Sequence, residues 1–336
     1  MRLFLSPTQD ATIYQRYPTL NSGLDEIVEV GKIVKNLDGS GMYASASTRT
    51  LIHFDIPSLQ QYPVTSKYFL NLRIANATNV NRYQKLEVYP ISSSWVEGSG
   101  YFYQDVENSQ DGVTWETGSI YSTDISASYT VSTLPIQDIK IDVTSLIAPV
   151  VAGSNITPWN GLLIKFPTLD ENDSTNKGNI KFFSSNTHTV FSPKLEIVYV
   201  DQSFVTASLK PILDRELSII PKNLKEVYTI GEVSNVHLVV RDKFPDKRFD
   251  ATQRYRPQYY LPSSSYFRIR DAASGHIIYD FDQYSALNCD NSGSYFILDT
   301  SALEINRYYT IDLKVQNGTK VFFPPFNYEF KVDIDV

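Results

Sequence analysis

A single cysteine, two methionines and no long apolar run are the first features of this 336-residue chain. Cys289 has no second thiol to pair with, which excludes the disulfide-stapled scaffolds of small secreted domains. No stretch approaches the roughly 20 apolar residues of a spanning helix. Charged residues make up 20% of the chain, and the net charge of −7 is spread without like-charge blocks. That pattern argues against a general nucleic-acid binder and carries no membrane-surface signature. An export signal needs a basic start followed by roughly 7–15 apolar residues. Here the opening apolar run stops at Leu5, so synthesis and assembly in the cytoplasm are expected.

Catalytic and metal-binding patterns are equally scarce. His53, His188, His237 and His276 lie far apart with no paired spacing, which leaves a zinc site without support. Neither a Gly-x-Ser-x-Gly elbow nor a phosphate-cradling glycine loop is present, and no enzymatic activity or cofactor is expected. The segment Asp170–Asn176 gathers oxygen ligands but lacks the glycine and terminal glutamate of a calcium-binding hand loop, so it reads as a solvated acidic loop. Asp10 could contribute to a structural calcium, yet nothing selects further ligands, and no metal is assigned.

Aromatic residues are abundant: 23 Tyr and 18 Phe, which favour strands over amphipathic helices. Thr50–Ile56, Leu70–Ile74, Lys85–Ile91, Gly161–Phe166 and Lys194–Val200 place apolar side chains at alternate positions, as half-buried strands do. One helical turn, two at most, is expected at Asp142–Ala148, capped by Asp142 or Thr144 and stopped by Pro149. Short strands in series with loops between them give an all-β protein, and the length suggests two or three domains.

An ordered set of short segments carries a resemblance. It begins with Asp10-Ala11-Thr12-Ile13, Pro18–Gly23, Val30-Gly31 and Arg49–Ile56, and continues through Val88–Ile91, Ser94–Gly98 and Val113-Thr114-Trp115. Ile141–Thr144, Gly161–Ile164, Phe182–Ser185 and Pro193–Ile197 complete it. Together they resemble the DNRLRE-type jelly-roll domains, which are related to disaggregatase-like and carbohydrate-binding modules. The resemblance implies an antiparallel jelly-roll sandwich over residues 1–203, a fold used by lectins and viral proteins alike. A connector is expected at 204–225. Six or seven alternating runs over 226–336 match the pattern of an immunoglobulin-like β-sandwich.

Two groups of residues are candidates for binding. Tyr101, Tyr103, Trp159 and Asn160 sit in loops of the first part and could stack on and hydrogen-bond a sugar, whereas Trp95 and Trp115 read as structural rings. In the second part, the stretch 241–262 has no clear period and is rich in Arg and Tyr, residues that anchor protein interfaces. Arg248, Arg254, Tyr255, Arg256, Tyr259 and Tyr260 are its candidate docking residues.

A jelly roll joined to an immunoglobulin-like sandwich, with no export signal, reads as a structural protein of a tailed-bacteriophage particle: a neck, collar, fibre or tail-associated component. Its partners would be other virion proteins in multiple symmetric copies. The alternative is a carbohydrate-binding module that recognises a cell-surface or plant polysaccharide, with a host surface glycan as the partner.

Overall fold

Strands form where apolar side chains alternate. The structure, a computed structural model, describes every residue except 1, 38–41, 56–62, 64, 82, 103–110, 119–120, 132–137, 154–158, 174–177, 200–202, 207–208, 213–215, 245–257 and 335–336. The chain is nearly all β, and its curled sheets form sandwich-like layers. Contacts divide it into two compact units, Phe4–Ile197 and Val198–Val336, the latter together with Met1–Leu3.

The 11-stranded sheet is built from β1 (Arg2–Leu5), β2 (Gln9–Tyr14), β3 (Ile27–Leu37), β4 (Met42–His53), β5 (Lys67–Thr78) and β6 (Gln84–Pro90). It continues with β7 (Ala127–Val131), β8 (Asp138–Asp142), β9 (Leu162–Lys165), β10 (Gly178–Phe183) and β11 (Lys194–Val198). The sheet order is β1-β11-β5-β10-β3-β4-β9-β6-β7, with β2 also paired to β4 and β8 to β5. In β5 the alternation is kept: Tyr68, Leu70 and Leu72 are buried while Phe69, Asn71 and Arg73 are half-buried. Leu70 and Leu72 lie opposite Ile141 and Ile139 of β8, so two strands contribute to one apolar layer.

β9 departs from the expected half-buried pattern, since all four of its residues are buried. Leu162 and Ile164 face one layer of the core, and Leu163 faces a second one on the opposite side. A central strand covered on both faces has no solvent side to make polar, and Leu162-Leu163-Ile164 is a continuous apolar run.

Among the described residues three short helices interrupt the strands: α1 (Trp115–Gly118), α2 (Thr144–Val151) and α3 (Thr168–Asn172). The Asp142 carboxylate accepts the Thr144 N–H at 3.0 Å, at the start of α2. Pro149 does not stop α2, which runs on to Val151. Proline forfeits its own N–H bond, and the helix is held instead by packing of Leu146 and Ile147, both buried. The end comes at Gly153, whose φ of +67° provides the left-handed exit.

In the second unit, one sheet joins Val233–Asp242 to Gly293–Asp299 and the other joins Arg307–Asn317 to Tyr266–Asp271 and Tyr328–Asp333. Phe267 and Phe296, one from each sheet, stack with ring centroids 4.7 Å apart in the core between them. The hydroxyl of Tyr309 accepts the Glu304 N–H at 2.7 Å and donates to the Glu304 carbonyl at 3.1 Å, the hydrogen bonding of a tyrosine corner. Within 204–225 the chain forms the strand Leu217–Pro221, which pairs antiparallel with Val233–Asp242 from Leu217 opposite Asp242 to Pro221 opposite Leu238.

Candidate functional site

The second apolar layer of the first unit lies beneath the long segment between β6 and β7. Ala11, Ile13, Leu51, Ile91 and Leu163 form a buried cluster that Val113 closes, with Trp95, Trp115 and Tyr121 packed against it. Both tryptophans are therefore structural. The turn at its start is held by Asn21, whose amide donates to the carbonyls of Glu97 (2.6 Å) and Val113 (2.9 Å) and accepts the Gly100 N–H at 2.8 Å. Gly98 has a φ of +83° and, like Gly100 and Gly112, no room for a Cβ against Asn21.

Beside this layer, Arg49 extends over the Trp115 ring at 4.6 Å and donates through Nε and Nη2 to Glu171 at 3.0 and 2.8 Å. Lys165, fully buried, reaches the same carboxylate at 3.1 Å. Burial pulls the Lys165 ammonium below its usual range, while Glu171 pushes it back up. The acidic stretch is thus no solvated loop at its start: α3 carries Glu171 into a buried ion network, and Asp170 accepts the Gln84 side-chain N–H at 2.8 Å. The sequence pattern could not show this, because the two cations come from β4 and β9.

Asp10 forms a second polar centre. It is fully buried, its Oδ2 accepts the Ser185 N–H at 2.5 Å, and its own N–H donates to Glu97 at 2.8 Å. Burial pushes the Asp10 carboxyl up to about 7, against the lowering effect of Ser185, and Glu97 adds to the rise. No group of three or more His, Cys, Asp or Glu among the described residues is arranged to hold a metal.

A cavity of about 290 Å³ opens where the covering segment ends. Pro90 at the end of β6 and Ile91 just after it line one side, and α2 supplies Leu146, Pro149 and Val150. Two loop stretches complete the lining, Ser122 to Ile125 on one and Trp159 with Asn160 on the other. The Trp159 indole N–H donates to the Phe54 carbonyl at 2.8 Å, and the Asn160 carbonyl accepts the Trp95 indole N–H at 2.8 Å. Both residues are half-buried and held in place by neighbouring elements.

Two of the four sugar-binding candidates, Trp159 and Asn160, therefore share one cavity. Tyr101 is half-buried and is not part of that lining, and Tyr103 lies outside the described residues. Phe102, next in sequence, packs on Tyr14 at 4.7 Å and on Tyr17 at 5.9 Å. Ser122, Asp124 and the α2 face were missed by sequence reasoning. Only the short Ser122-Thr123-Asp124 turn after Tyr121 offered a polar signal there.

Among the docking candidates, Arg248, Arg254, Tyr255 and Arg256 lie outside the described residues. Tyr259 is buried and its hydroxyl donates to Asp242 at 3.0 Å, so its ring is spent inside the unit. Tyr260 is half-buried, with the Phe204 ring edge-on at 6.0 Å.

A β-sandwich with a small cavity, edged by a fixed tryptophan and a few polar groups, has the make-up of a small-ligand-binding module. Residues 2–199 match carbohydrate-binding module family 96, and the chain belongs to that family. The match spans the stretch over which the jelly-roll resemblance runs and bears out its carbohydrate-binding part. Such a family consists of binding modules rather than catalysts. No curated protein matches the chain. Among solved structures, a DUF4785 family protein from Legionella pneumophila shares 10% identity over 98% of this chain, which spans 66% of that protein, just under two thirds; the TM-score is 0.21. The tripod from the baseplate of bacteriophage Tuc2009 shares 10% identity, with 100% of this chain and 99% of that one covered and a TM-score of 0.18. Neither likeness is close enough to carry an argument about fold or role. Among the described residues no helix is long and apolar enough to cross a membrane.

Proposed function

We propose that the first unit binds a polysaccharide at the cavity edged by Trp159 and Asn160. The supporting observation is that a family-96 module places an aromatic ring, an amide and the Asp124 carboxylate around one cavity of about 290 Å³. With its indole N–H committed to Phe54, Trp159 has its ring left to offer, an apolar surface for the C–H side of a sugar. Asn160, Ser122 and Asp124 supply polar partners for hydroxyls. Retention on a panel of immobilised cell-surface and plant polysaccharides tests the reading. The intact protein should be retarded by at least one and Trp159→Ala by none; equal retention of the two overturns this site.

A place in a phage particle is the further part of the proposal, with glycan binding as the outward-facing task and the second unit as the docking part. It is supported by the two all-β units and by the Arg- and Tyr-rich make-up of 241–262. Mass spectrometry of density-purified particles decides it. A fixed ratio to the major structural proteins through salt washes supports the placement, and absence from particles removes it.

A further inference from the structure

The lining of the cavity is chemically lopsided. Every described lining residue from the end of β6, from Ile91 just after it and from α2 is aliphatic or proline: Pro90, Ile91, Leu146, Pro149 and Val150. Among the described residues its polar side chains, Ser122, Asp124 and Asn160, come from the loops, and Asp124 is exposed. A sugar hydroxyl turned toward α2 would be desolvated with no side-chain partner among the described residues there, and Pro149 has no N–H to offer. At about 290 Å³ the space sits at the small end of the roughly 300–1,000 Å³ of small-molecule sites, which suits one sugar residue rather than a length of chain.

Resting on the glycan-binding reading of this same cavity, we propose that it selects a sugar residue bearing a methyl-terminated substituent, with the methyl against Leu146, Pro149 and Val150 and the hydroxyls toward Ser122, Asp124 and Asn160. Two groups present that chemistry: the C-methyl of a 6-deoxyhexose and the methyl of an N-acetyl group. A methyl in place of a hydroxymethyl, or an acetamido group in place of a hydroxyl, sets an apolar end against the aliphatic side, where a hydroxyl would be stranded. One methyl-sized group in an apolar pocket is worth about 10-fold or more in discrimination.

The test is NMR titration of the full chain with matched glycosides. The 2-hydroxyethyl glycoside of fucose is compared with that of galactose, that of rhamnose with that of mannose, and that of N-acetylglucosamine with that of glucose, each pair in the same configuration. The expected result is that the methyl-bearing member of at least one pair binds about 10-fold more tightly, and which pair responds tells the C-methyl from the N-acetyl source. Val150→Phe, which fills the aliphatic side, and Val150→Thr, which adds a hydroxyl at constant volume, should both erase the preference while the melting temperature stays within a few degrees. Equal binding of both members, dependent on Trp159, overturns the methyl selection and leaves the glycan site standing. A preference that survives both Val150 variants overturns it as well. Binding of no glycoside also overturns it, and retention on polysaccharide with and without Trp159→Ala then decides separately whether the glycan reading holds.

Discussion

Asn21 donates its side-chain amide to the Glu97 carbonyl at 2.6 Å across 76 residues of sequence, and the same side chain also reaches Val113, Gly23 and Gly100. It is fully buried, so each of these backbone groups would be stranded without it. Asn21→Ala is expected to cost at least about 3 kcal/mol, since each unmade buried hydrogen bond costs roughly 1–3 kcal/mol. Thermal unfolding of the first unit should show it as a fall of roughly 10 °C. A change of under about 2 °C would mean that the segment over the second apolar layer is held by other contacts.

Glu171 faces two cations, Arg49 and the fully buried Lys165. Glu171→Gln leaves Lys165 without its carboxylate in an interior site, a loss on the order of 3–5 kcal/mol. Chemical denaturation should record a lower midpoint with an unchanged slope. Arg49→Lys should fall in between, because a single ammonium cannot reproduce the two-pronged bond to the carboxylate.

Stability of the first unit should depend on the protonation of Asp10. Its carboxyl is held up to about 7 in the folded chain against 3.8 ordinarily, so folding favours the protonated form. The resulting stability is complete below about 4 and is lost as pH rises through about 7. The full span corresponds to on the order of 4 kcal/mol. Asp25, raised to about 6 chiefly by burial, acts in the same direction. Asp10→Asn cannot titrate and keeps an oxygen for the Ser185 N–H. Melting temperatures of both proteins between pH 4 and 8 should converge or cross as pH rises, with the wild type losing ground; parallel curves would refute the assignment.

Trp159 and Tyr101 should part company in binding assays. Trp159→Phe keeps an apolar ring but leaves the Phe54 carbonyl without its donor, and a loss of about 10-fold in polysaccharide affinity is expected. Tyr101→Ala, outside the cavity lining, should stay within about twofold of wild type in the same titration. The reverse ranking would move the site to the loop around Phe102.

Much of the fold was legible in local pattern. Alternation in Leu70-Asn71-Leu72-Arg73 describes a strand with one wet face because its period of two is a property of the backbone alone, and the structure has that strand. Pro149 was misread because its lost N–H is a local penalty, whereas the burial of Leu146 and Ile147 that outweighs it is not local. The candidate site was half legible. Trp159-Asn160 stood out as a tryptophan and an amide in a loop, but Ser122 and Asp124 lie 35 or more residues away in the chain, and the α2 face is brought alongside only by the fold.

By itself, the sequence determined the class of the protein: too few amphipathic helical stretches and too many alternating aromatic and β-branched runs for anything but sheets, and a lone cysteine that rules out an internal disulfide framework. Tertiary structure alone decided that Leu162, Leu163 and Ile164 are buried on both faces, that Glu171 is an interior ion rather than a solvated one, and that Trp159 edges a cavity. The reason is that burial on a second face, pairing of charges and enclosure of space all depend on which distant strands and loops are brought alongside, and no local periodicity encodes that.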